Sequence, residues 1–437
     1  MILKIVQLIM AFTLIVGIHE LGHFIMARIF RIRVEKFYIF FDPWFSLFKF
    51  RRGQTEYGVG WLPLGGYVKI AGMVDESLDT EQLKQPAKED EFRAKPAWQR
   101  FLVMIAGVVM NVVLAIAIFC GISYVWGESY VDNADARWGY EFNEAGHKLG
   151  FEDGDRFVAI DGEPVGDIGN IVSSLLLTSD GRTVTVERAG AEVTFDIPFD
   201  KLLEMRENEG YKNLFTLRYP VIVDSLTERA AVSGLLRGDE IVRADDVDVC
   251  GNFAAFSKIA GERRDSTLAL TVLRNDALVD LTASVDSDGK IGFTLANPYH
   301  ARTRHYTLLQ SIPAGFRRTG EMISSYWQQL KLIFQPKSRM YKELGGFIAI
   351  GSIFPSEWNW QDFWFKTAFL SIILAVMNII PIPGLDGGHA LFTLWEMLTG
   401  RRPSDKFLEV MQYIGLAIIL LLLVYANGND IYRFFIK

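Results

Sequence analysis

"IVGIHELGHFIMARIF", residues 15–30, sets two histidines and a glutamate inside a stretch otherwise apolar enough for a bilayer. An ionisable group at membrane depth is expensive to bury, so His19, Glu20 and His23 together signal a function, with partners to be sought elsewhere in the chain. The spacing is H-E-x-x-H. On a helix, residues i and i+4 share a face, so both imidazoles can hold one Zn²⁺ while Glu20 lies beside the water that the ion binds.

Working outward, the 437 residues are half hydrophobic, and the apolar residues come in blocks. Residues 1–18 carry a single charge, Lys4; residues 101–127 and 410–429 carry none; residues 363–382 carry only Lys366. Each block approaches the roughly 20 residues that cross about 30 Å of hydrocarbon, so the expected class is a polytopic α-helical membrane protein with four spans. The first block has no small-residue cleavage site, and cleavage after it would discard or expose the histidines, so it is expected to be retained. Basic residues cluster after the first block (Arg28, Arg31, Arg33, Lys36), before the second (Arg93, Lys95, Arg100) and between the third and fourth (Arg401, Arg402, Lys406). By the positive-inside rule these loops are cytoplasmic, which leaves both termini and residues 128–300 on the outer side. That outer region carries 17 Lys and Arg against 32 Asp and Glu, net −15, in a chain of net −7. Nothing in this pattern suggests a nucleic-acid partner. Cys120 sits in an apolar block and Cys250 in the outer region, so the two are not expected to pair.

The outer region repeats itself at an offset of 84: "LGFEDGDRFVAIDGEPV" (149–165) aligns with "SGLLRGDEIVRADDVDV" (233–249). A small-residue turn, Gly-Asp, an alternating strand and a second turn look like the core of a PDZ domain, a module that binds extended peptides along a sheet edge. Two copies would occupy 128–215 and 216–298. The second has Asp246 where the first has Gly162, so the two turns are expected to differ.

Three further segments stand out. "GQTEYGVGWLPLGGYVKIAGM" (53–73) reads as short strands with glycine bends, and glycine this dense marks close approach of another backbone. An ordinary cytoplasmic hairpin is the alternative. The charged stretch 75–92 reads as a solvated loop. In 303–334, Met322/Ile323, Tyr326/Trp327, Leu330 and Ile333/Phe334 recur at helical spacing, which fits a helix lying in the membrane interface.

A catalytic zinc commonly takes three protein ligands and keeps one position for water. "VMNIIPIPGLDGGHALF" (376–392) offers the third: Pro381 and Pro383 break the helix, Gly384, Gly387 and Gly388 permit irregular backbone, and Asp386 is the only acid there. Breaks at such depth are tolerated where they are buried in protein or line a cavity. His389 is the competing ligand. A zinc transporter could use the same side chains, but it commonly shows inverted repeats and two broken spans, and only one span is broken here. A catalytically silent peptide receptor would more naturally lack Glu20 or one of the ligands, and none is missing.

HExxH in the first span, N-x-x-P-x-P-x-x-D-G-G in the third and a tandem PDZ-like insert together resemble the site-2 protease family of intramembrane zinc metalloproteases, in its bacterial regulator-of-sigma-E protease form. The resemblance implies that His19, His23 and Asp386 ligate zinc, that Glu20 is the general base, and that Asn378 hydrogen-bonds the substrate backbone. It also implies that the segment Tyr57–Tyr67, with Tyr57, Gly58, Val59, Gly60, Trp61, Gly65, Gly66 and Tyr67, is a membrane-associated β-hairpin pairing with an unwound substrate. The division expected from this is a first span at 1–27, a hairpin region at 28–98, a second span at 99–127, the two PDZ-like domains, interfacial amphipathic helices at 299–356, a broken third span at 360–400 and a fourth at 407–429. Substrates would be transmembrane proteins or peptides, with type II-like or signal-peptide-like segments, reached from the lipid bilayer of a bacterial inner membrane. The PDZ pair would bind or exclude their outer-side segments.

Overall fold

In the computed structural model, which describes residues 2–63, 65–73 and 86–436, the chain forms two compact units. One comprises Met1–Gly127 with His305–Lys437, the other Glu128–Arg304. Residues 75–85 of the charged loop lie outside the described residues.

The first unit holds four helices that, among the described residues, are long and apolar enough to cross a membrane: Ile2–Ile29, Ala97–Val125, Trp360–Ile379 and Lys406–Phe434. The first two are α1 and α2. Pro96 precedes α2 with φ −56°, already suited to helix entry, and α1 ends with Arg28 at its negative pole. α2 is the central element and packs against α1, Trp360–Ile379, Leu308–Ile333 and Asp386–Thr399. Pro381 and Pro383 interrupt the third span, and the chain restarts as the helix Asp386–Thr399. Gly387 is required at that restart: a Cβ there would fall 2.4 Å from the Ile380 carbonyl oxygen and 2.6 Å from that of Ile379.

The helix Leu308–Ile333 packs part of its apolar stripe on protein: Leu330, with Met322, Ile323, Tyr326 and Ile333, meets Phe119 and Ile122 of α2 and Ile372 of the third span, while Trp327 and Phe334 stay exposed. Amphipathic spacing shows that one face is apolar, but not what covers it.

Between α1 and α2 the chain builds a four-stranded sheet from β1 (Val34–Ile39), β2 (Phe41–Arg52), β3 (Thr55–Leu62) and β4 (Tyr67–Ile70), in the order β2-β3-β1-β4. β1 and β3 run parallel, and the outer pairs are antiparallel. Val34, Val68 and Ile70 share a core with Ala27 of α1 and Val103 and Met104 of α2, which fixes the β4 edge against the helices. At the other edge, β2 exposes Trp44, Phe45, Leu47 and Phe48.

The second unit shows the repeat in three dimensions. Each copy has its own core, one around Tyr140, Phe157 and Val184 and the other around Val221, Ile241 and Leu270. Each has the same buried ion pair: Arg188 binds Asp155 and the Gly150 carbonyl, and Arg274 binds Asp239 and the Gly234 carbonyl. The turns differ as expected. Asp161 and Gly162 both take positive φ (51° and 80°), whereas in the second copy Asp245 does so (48°) and Asp246 does not. Burial works against the Asp239 charge, but the hydrogen bonds from Arg274 outweigh it and hold the carboxyl below its usual range. The stability gained is fully present above the unfolded pKa of about 3.9 and is lost as pH falls through the lower folded value.

Removing one member of a buried pair leaves an uncompensated charge, so Arg188→Ala should destabilise the first repeat by about 3 kcal/mol. Native-state proteolysis of the full chain in detergent should then cut within 128–215 faster than in wild type. Arg237→Ala, which removes an exposed pair with Asp224, should leave the cleavage rate unchanged.

Candidate metal centre

One turn of α1 separates His19 from His23, and both side chains are buried, with their rings edge to face at 4.9 Å between centroids. Their Nε2 atoms lie 3.3 Å apart. Asp386, the first residue of the helix after the break, brings its Oδ2 to 3.1 Å from His19 Nε2 and 3.3 Å from His23 Nε2. Three groups able to offer a lone pair thus face one point.

Hydrogen bonding alone does not satisfy this cluster. The Val103 carbonyl lies 2.8 Å from His23 Nδ1, so Nδ1 carries the proton and Nε2 presents its lone pair. Asp386 Oδ2 is buried without a hydrogen-bond partner among the described residues. Two ring nitrogens and a buried carboxylate oxygen converging on one point, in the number and chemistry of a catalytic zinc site, fit a divalent metal. The three residues form the metal-competent group found among those described.

Gly107 of α2 makes the cluster possible. A Cβ at that position would fall 2.3 Å from His23 Nε2 and 2.6 Å from His19 Cε1, so only glycine lets the rings close on one another against the neighbouring helix.

The cluster opens onto a cavity of 800 Å³. Glu20, Asn378 and His389 line it. Asn378 Nδ2 lies 3.3 Å from His19 Nε2. His389 and Gln412, the latter on the helix Asp405–Ile431, both line the cavity, and His389 stands outside the three-residue cluster. Val68 of β4 lines the cavity with Glu20, and Gly66 packs beside the Glu20 side chain. Tyr67 donates to Asp42 Oδ1 at 2.9 Å; burial, then that hydrogen bond, hold its phenol above the ordinary range, so the hydroxyl stays a donor.

The hairpin residues divide. Gly66 and Tyr67 line the cavity, whereas Tyr57, Gly58, Val59, Gly60, Trp61 and Gly65 do not. The first five lie on β3, whose two edges are already paired with β2 and β1. β3 has no free edge, whereas β4 continues the cavity wall through Val68, Lys69 and Ile70. The glycines do mark close approach, but by the protein's own chain. A Cβ on Gly58 would meet the Tyr38 ring at 2.3 Å, and one on Gly60 the Phe41 carbonyl at 2.0 Å.

Sequence reasoning passed over Asn111, Gln412 and the Val103 carbonyl. Asn111 had a signal: it is the one amide side chain in the uncharged run 101–127, and a polar group at that depth asks for a partner.

Gly107→Ala should therefore lower bound zinc per purified chain at least about tenfold, within the range seen when groups supporting a metal ligand are disturbed. Gly121→Ala, on the same helix with open space around it, should bind zinc as wild type does. Metal analysis of the two variants checks this.

Comparison with known proteins agrees with the geometry. Residues 7–422 match peptidase family M50. Relatives named as candidate zinc metalloproteases include one from Rickettsia conorii, 27% identical with 99% of each chain covered. Another, from Clostridium perfringens, is 27% identical over 98% of each chain, and a third, from Xylella fastidiosa, is 28% identical over 97% of each. Both histidines, the aspartate and the glutamate fall inside the matched span, and the chain belongs to peptidase family M50, the site-2 protease family of zinc metalloproteases.

Proposed function

We propose that this protein is an intramembrane endopeptidase that hydrolyses peptide bonds within or near transmembrane segments of other membrane proteins. The observation that carries this reading is the position of the site. Its two histidines belong to one candidate span, its aspartate to the break after another, and its glutamate to a cavity walled by both.

His19, His23 and Asp386 would hold the zinc, with Asp386 preferred to His389 because its oxygen lies within 3.3 Å of both Nε2 atoms. Bound there, zinc supplies Lewis acidity that polarises a carbonyl and acidifies water. Glu20 removes the proton of the attacking water and delivers it to the nitrogen of the scissile amide, which leaves as the amine. Asn378 is a hydrogen-bond donor to the substrate backbone. A helical substrate has its carbonyls bonded internally and must unwind before attack. Adding the unwound segment to the β4 edge at Tyr67–Ile70 offsets part of that cost with new main-chain hydrogen bonds beside Glu20.

The charge distribution supports the basic loops on the cytoplasmic side of a bacterial inner membrane, with both termini and residues 128–298 outside. The exposed aromatic edge of β2 suits contact with lipid. The two repeats suit PDZ-like modules that bind or exclude the outer segments of substrates. Substrates in this reading are anti-sigma factors, signal-peptide remnants or both.

Glu20→Gln should keep zinc and fold yet cut a transmembrane test substrate about 10²–10⁴-fold more slowly. Turnover near the wild-type rate would remove Glu20 from the mechanism.

A further inference from the structure

α2 meets the two histidines with one face, at intervals of four residues. The Val103 carbonyl accepts from His23, Gly107 leaves room for both rings, and Asn111 sets its amide nitrogen Nδ2 3.3 Å from His19 Nδ1. Asn111 is fully buried, at 0% exposure, and its Oδ1 has no hydrogen-bond partner among the described residues. Its main chain is tied down as well, since Ser371 of the third span donates to the Asn111 carbonyl at 2.9 Å.

The two nitrogens of His19 have different tasks. Nε2 faces Asp386 Oδ2 at 3.1 Å and must offer a lone pair if it is to ligate metal. A neutral imidazole carries one proton, so that proton sits on Nδ1 and needs an acceptor. Asn111 is the side chain in reach. Amide oxygen and nitrogen exchange places by a half-turn about the last side-chain bond, and that turn gives the orphaned oxygen the donor it lacks.

We propose that Asn111 is a positioning residue of the metal centre: its amide oxygen accepts the Nδ1–H of His19 and fixes the tautomer and ring plane that aim Nε2 at zinc. This rests on the reading of His19 as a zinc ligand. With the Val103 carbonyl doing the same for His23, α2 orients both imidazoles without ligating the metal, and groups in that role raise ligand basicity and affinity.

The test uses the full-length protein in detergent, with zinc affinity measured by chelator competition and the visible spectrum of the cobalt-substituted form as a second readout. Asn111→Leu keeps the volume and removes the acceptor; it should weaken zinc about 10–100-fold and shift the cobalt bands. Asn111→Asp offers an oxygen in either orientation and should bind zinc as tightly as wild type or more tightly. Wild-type affinity in Asn111→Leu overturns the proposal. So does an Asn111→Asp variant as weak as Asn111→Leu, which would mean that the amide nitrogen, or packing alone, is what matters. Should Asn111→Leu fail to fold, Asn111→Ala carries the same comparison. Asp386→Ala in the same assay separates this from the reading beneath it. Wild-type zinc binding in Asp386→Ala would move the third ligand elsewhere and leave the His19–Asn111 contact standing if Asn111→Leu were still weakened.

Discussion

Two imidazole nitrogens and a carboxylate oxygen, held within about 3.3 Å of one another, are the constraint that the membrane-spanning unit is built around. Packed against helices 97–125 and 360–379, His19 and His23 are largely withdrawn from water, and a divalent cation shared by the three groups would relieve the cluster. Each unusual local feature serves that convergence. Gly107 admits the rings, the prolines stop the third span so that Asp386 can begin a new helix, and Gly387 lets that helix restart against the carbonyls it follows.

The same arrangement sets up the substrate side. β4 is pinned to α1 and α2 through Val68 and Ile70, and its edge runs along Glu20 and the cavity. A rigid edge beside the base is a pre-formed place to hold an extended segment, whereas a free hairpin would have to be ordered on binding. α2 takes part in both, backing the histidines with one face and the sheet with Val103 and Met104. The acidic second unit contributes none of the residues in the metal cluster.

Much of the site could be read from the residues because its chemistry is local in sequence. His19 and His23 are one helical turn apart, and the Pro-Gly break isolates Asp386 as the acid in an apolar block. The repeat was legible for the same reason, since Gly150 and Asp155 recur as Gly234 and Asp239; the arginines that bury those aspartates, Arg188 and Arg274, lie on later strands at a slightly different offset. What was not legible depends on long-range pairing. Nothing in 53–73 says that β1 will run parallel to β3 and take its second edge; the glycines there mark a close approach, and what approaches Gly58 and Gly60 is the protein's own Tyr38 and Phe41. The stripe on Leu308–Ile333 likewise carries no record of which of its residues pack on α2 and the third span. Asn111 was legible but was passed over in favour of charged residues.

The central claim is the identity of the ligand set. X-ray absorption at the zinc edge of the purified, zinc-loaded protein reads it directly. The account predicts two imidazoles and oxygen scatterers at about 2.0–2.2 Å, with no sulfur. Three imidazoles, which would bring in His389, or fewer than two would contradict it.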